Sequence, residues 1–138
     1  MPEVDINYLT VLVAAAVALA LGALWYSPVL LGKPWMAAIG KTEEEIKSSS
    51  RSMPLIFGLT FLAWLVTAYV LAHIVDYAVA TTVSGGLQTG FWTWLGFMIT
   101  YEVIHGLFEE REVRLLFINS GYHLVAILIM GGMLAAWM

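Results

Sequence analysis

Cysteine is absent from the chain, which excludes disulfides, thiolate metal sites and cysteine nucleophiles together. Charge is almost as scarce. Only 12% of the residues are Asp, Glu, Lys or Arg, about half of what a soluble globular domain carries. The six basic residues face ten acids, a net charge of −4, and no basic patch exists to neutralise a phosphate backbone. Nucleic acid is therefore not an expected partner. A nucleophile elbow, a phosphate loop and a zinc-protease motif are all missing.

What the chain has instead is apolar length. Hydrophobic residues make up 61% of its 138 positions, too many for water, and the length suits a single domain spanning residues 1–138. A bilayer core of about 30 Å needs roughly 20 consecutive apolar residues in a helix. Four stretches reach that length, at about 6–25, 55–77, 87–107 and 113–138. None alternates as a membrane strand would. The first lacks the basic start and cleavage site of a signal peptide. The expected fold is an all-α membrane protein, four transmembrane helices in a bundle.

Orientation follows from the basic residues. Lys33, Lys41, Lys47 and Arg51 lie between the first and second spans, and Arg111 and Arg114 between the third and fourth. All six thus fall on one side, assigned to the cytoplasm, with both termini outside. The expected location is the cell inner (plasma) membrane, multi-pass, with the lipid bilayer as partner.

The connection between the first two spans begins YSPVLLGKPWMAAIG, too apolar for a free loop. Trp35, Met36 and Ile39 suit the headgroup region, so a short interfacial or cytoplasmic helical segment is expected. KTEEEIK then reads as a helix start, Thr42 as N-cap with Glu45 three residues on, and SSSRS as a polar hinge before Pro54 opens the second span. Small residues recur at four-residue spacing: Ala14, Ala18 and Gly22; Ala16 and Ala20; Gly86 and Gly90; Gly131 and Ala135; Gly132 and Ala136. Such rows let helix backbones approach closely, within the bundle or between copies in a homo-oligomer.

Two blocks carry a family resemblance. GALWYSPVLLGKPWM (22–36) is one; FINSGYHL (117–124), preceded by LFEER and followed by two glycines and Trp137, is the other. With Asn7 and the FWTWLGF run, they resemble small bacterial membrane proteins grouped as domain of unknown function family 1761. The resemblance implies four membrane helices and brings no activity with it.

Ionisable groups inside a span are costly and mark function by default. Glu102 and His105 share a helix face at i, i+3 in the third span; Asn119 and His123 do so at i, i+4 in the fourth. The short connection makes these spans antiparallel neighbours, so the two faces can meet at similar depth, joined by Tyr26, Tyr101 and Tyr122. In one reading Glu102 bonds Asn119, His123 or a tyrosine and merely ties helices together. In another the cluster is a proton-linked or ligand-binding pathway. In a third, Glu102, His105 and His123 form a mononuclear metal site; a di-iron site lacks a second Glu-x-x-His motif, haem is disfavoured by the unequal depths of His105 and His123, and no cofactor is otherwise expected. Asn7, His73 and Asp76 form an outer polar cluster. The leading functional reading is a small transporter or channel-like protein taking a small ion or polar ligand; the alternative is a non-catalytic scaffold or accessory subunit. An enzyme ranks third.

Overall fold

The computed structural model describes residues 2–48 and 51–137, and these are helical apart from short turns. Met1, Ser49, Ser50 and Met138 lie outside the described residues, so two residues of the expected serine hinge and the last residue of the fourth span do too.

Helix α1 (Tyr8–Trp25) starts two residues later than expected because the Asn7 side chain caps it, accepting from the Thr10 N–H at 3.2 Å. The chain then turns tightly through Ser27 and Pro28 into α2 (Gly32–Ile39). Gly32 is required there: a Cβ would lie 2.6 Å from the Tyr26 carbonyl oxygen. Gly40, at φ +71, closes α2 in the left-handed conformation that suits glycine. Helix α3 (Glu43–Lys47) is capped by Thr42, whose hydroxyl accepts from the Glu45 N–H, as its spacing predicts.

Helix α4 (Met53–Tyr77) begins two residues earlier than expected, since Ser52 caps it and Pro54 sits in its first turn. Val79, at φ +54, ends the turn that follows. The expected third span is helical over its full length but in three pieces: α5 (Val83–Thr93), a π-helical segment Trp94–Met98, and α6 (Ile99–Phe108). The π turn closes through the Ile99 N–H to the Trp94 carbonyl. Helix α7 (Val113–Trp137) completes the chain. Three helices, α1, α4 and α7, are individually long and apolar enough to cross a membrane.

Helix α7 is the centre of the arrangement, touching α1, α2, α4, α5 and α6. Its Ile127, Met130 and Leu134 are among the most deeply buried side chains, with Leu71 and Val75 of α4 opposite. Small-residue rows supply the close contacts. Ala14 and Ala18 are fully buried. Gly86 and Gly131 face each other so closely that a Cβ on Gly86 would lie 2.1 Å from the Gly131 carbonyl oxygen. These rows are therefore used inside the chain; Ala16 and Ala20 stay exposed. By contrast α4 and α5 barely meet.

The π segment has a geometric cause. Gly86, Gly90, Trp94, Met98, Glu102 and Gly106 recur every fourth residue, and each is less exposed than most of its neighbours. At 3.6 residues per turn, a four-residue step drifts about 40° around an α-helix. A wider turn takes up part of that drift, so both halves of the run keep one face toward α7.

Candidate functional site

The two blocks that carry the resemblance meet in space, at the end of α1 and α7 nearest the α6–α7 turn. Each places an aromatic ring over a glycine of the other. The Tyr122 ring lies over Gly22, where a Cβ would be 2.6 Å from its hydroxyl; the Trp25 ring lies over Gly121, where a Cβ would be 3.2 Å away. Two bare patches of helix thus receive two large side chains.

Hydrogen bonds close the same seam. The Trp25 indole N–H donates to the Ile118 carbonyl at 3.0 Å. The Tyr26 hydroxyl donates to Asn119 Oδ1 at 2.7 Å, and the Tyr122 hydroxyl donates back to the Ala18 carbonyl at 2.6 Å. From the other side of α7, the Trp94 indole N–H donates to the Ser120 carbonyl at 3.0 Å. Trp35 of α2 packs edge-on against Tyr26, with ring centroids 5.1 Å apart. Burial first, then the neighbouring Tyr122 and Glu102, raise the phenol of Tyr26, the first residue beyond α1, above its ordinary value. It stays protonated and remains a donor. The Ser120 hydroxyl is the exception. It is buried and has no hydrogen-bond partner among the described residues.

Of the expected cluster, the structure joins Tyr26, Asn119, Tyr122 and His123. The His123 ring packs against Trp64 at 5.8 Å and Tyr122 at 5.4 Å. Glu102 goes elsewhere. Its carboxylate, mostly buried, pairs with the Arg111 guanidinium at 3.6 Å rather than with Asn119, His123 or a tyrosine. The cause is local: Glu110, at φ +54, turns the chain back so that Arg111 faces the helix it has just left. Arg111 also binds Glu109 at 2.5 Å. His105 lies 3.7 Å from the Glu109 carboxylate, and its ring packs at a tilt against Tyr101 with centroids 4.1 Å apart. Among the described residues no three His, Asp or Glu side chains converge as metal ligands, so the Glu102, His105 and His123 alternative finds no geometry.

The outer cluster does not assemble either. Asn7 spends its carbonyl on the α1 cap and donates its amide to the Trp137 carbonyl at 2.8 Å, tying the first helix to the last. His73 lies in a ladder of rings, 4.7 Å from Tyr69 and 6.2 Å from Tyr77, with Nδ1 2.9 Å from the Tyr69 carbonyl oxygen. Asp76 lines a separate recess with Asp5 and Thr81. Sequence reasoning missed Trp25, Trp64 and Trp94 as members of this seam. The four-residue row through Trp94 was the available signal.

An all-helical chain with three helices long and apolar enough to cross a membrane has the character of a membrane protein. It matches, over residues 9–135, the family described as "Protein of unknown function (DUF1761)", and it belongs to that family. Neither a curated relative nor a solved structure matches the chain.

Proposed function

We propose that this is a multi-pass protein of the cell inner (plasma) membrane with four spans, the helical run 83–108 being the fourth, acting as a non-catalytic scaffold or accessory subunit. The observation that carries the scaffold reading is the seam on α7. Polar side chains that could have lined a pathway are bonded to the chain itself, Tyr26 to Asn119, Tyr122 to Ala18, Trp25 and Trp94 to α7 carbonyls. In an apolar medium such bonds hold helices at a defined register. The grouping of all six basic residues at one end, in the two connections and the first turn of α7, supports cytoplasmic placement of that end and both termini outside.

A double-mutant cycle of Tyr26→Phe and Asn119→Ala, read by reversible unfolding in mixed micelles, tests it. The expected coupling is about 0.6–1.7 kcal/mol, the range for hydrogen bonds between membrane helices. Additive effects would remove the bond from the account.

Transport of an ion or polar ligand is the second reading. Two observations favour it: the mostly buried Glu102 carboxylate six residues inside the end of α6, and the unpartnered Ser120 hydroxyl. A copy-to-copy interface is compatible with both readings, and of the small-residue rows it is that of Ala16 and Ala20 that stays exposed.

A further inference from the structure

The side of α5 that faces α4 is unlike the side welded to α7. Gly86, Gly90 and Gly131 draw α5 onto α7, while α4 packs on α1, and a groove of about 740 Å³ opens between α4 and the α5 run. We propose that this groove binds one amphiphile from the leaflet at the α4–α5 turn, a phospholipid whose headgroup carries an amine.

Three features select that occupant. Polarity is graded along the groove: Thr81, Thr82 and Gln88 line the turn end, and Trp92 and Phe97 lie further in. A second recess of about 280 Å³ shares Ile74 and Thr93 with it and continues to Val70, Met98 and Ile127. A headgroup suits the first part and an acyl chain the rest. Length agrees. The sixteen residues from Thr82 to Phe97 span a rise of about 22 Å, half of a bilayer about 40–45 Å thick with its headgroups. That is one leaflet, whereas a partner transmembrane helix would cross both.

Charge decides the headgroup. An adjoining recess of about 250 Å³ shares Val79, Ala80 and Thr81 with the groove and presents Asp5 and Asp76. Among the described residues, no Lys or Arg lines either recess. An ammonium meets opposite charge there; an anionic headgroup without an amine meets like charge.

The inference rests on the membrane reading of the chain, and alkaline extraction of membranes tests that reading separately, since a spanning protein stays in the pellet. The direct experiment reconstitutes the full chain in nanodiscs containing equal phosphatidylethanolamine and phosphatidylglycerol, then counts retained lipid by native mass spectrometry. One phosphatidylethanolamine per chain is expected, preferred about two- to fivefold, the ratio that partly exposed ion pairs support. Thr89→Phe, which fills the groove, abolishes retention. Asp76→Asn, at an exposed position that leaves folding intact, keeps the lipid and brings the ratio close to one. Retention unchanged by Thr89→Phe, a parent ratio that Asp76→Asn does not alter, or a lipid-free dimer whose second copy fills the groove would each overturn the proposal.

Discussion

The two ends of the helix arrangement are closed by different physics. At the α6–α7 end, rings and directional hydrogen bonds fix α1, Tyr26 and the π-helical segment against the stretch Ile118–Tyr122, with α2 packed on α7 beside them. At the α4–α5 end, closeness is achieved by removing side chains, with Gly86 against Gly131, and one wall is left open. A hydrogen bond in an apolar medium tolerates small displacements and adds a modest increment. Backbone contact at a glycine tolerates none. The first end specifies register, and the second makes two helices inseparable while leaving a third apart.

That contrast is open to attack by substitution. The largest effect is expected at the glycine end: Gly86→Leu must push α5 off α7, since even a Cβ would meet the Gly131 carbonyl. A loss of about 3 kcal/mol or more in reversible unfolding is expected, at or beyond the usual range for overpacking. Should the variant unfold like the parent, the close crossing is wrong. At the other end Tyr122→Phe removes one hydroxyl bond and keeps the ring over Gly22. It should cost about 0.6–1.7 kcal/mol in the same assay.

Asn7→Ala comes next, at about 1 kcal/mol for the lost α1 cap, with earlier hydrogen exchange at Thr10 as its local signature. Arg111→Gln should be smallest, about 1 kcal/mol or less, because the guanidinium is more than a third exposed and screened by solvent. A much larger loss would mean that Glu102 depends on this arginine alone. In that event the ion pair, rather than the hydrogen-bonded seam, would be the principal fastening of the α6–α7 end.

Much of the fold could be read before the structure because it rests on properties local to the sequence. Apolar length marks a span, Thr42 and Glu45 mark a helix start, and small residues four apart mark a close face. Each of these survives as a helix, a cap or a crossing. The division of residues 83–108 was also encoded, in a four-residue period too strict for an ordinary α-helix, but it is visible only when the row is followed from Gly86 to Gly106.

The site was less legible. Asn119 and Tyr122 were recognisable as polar groups in an apolar run, and Tyr26 as a neighbour by depth. Their partners were not, because pairing depends on the rotation of each helix about its axis. Glu102 shows the limit most clearly. Its place in an apolar helical run was readable, but its partner was decided by a left-handed residue in the turn, Glu110, which sends Arg111 back along α6. Asn7 illustrates a different competition. A polar residue near a helix start was assigned to a distant cluster, and the local cap won.

The central claim is that the seam on α7 fastens helices and conducts nothing. Proton and small-cation flux into liposomes carrying the unmodified chain tests it most directly, with Asn119→Ala measured alongside for both flux and stability. The account predicts flux no greater than in empty liposomes and a loss of stability in the variant. Flux above that baseline, abolished by Asn119→Ala while stability is retained, would contradict it.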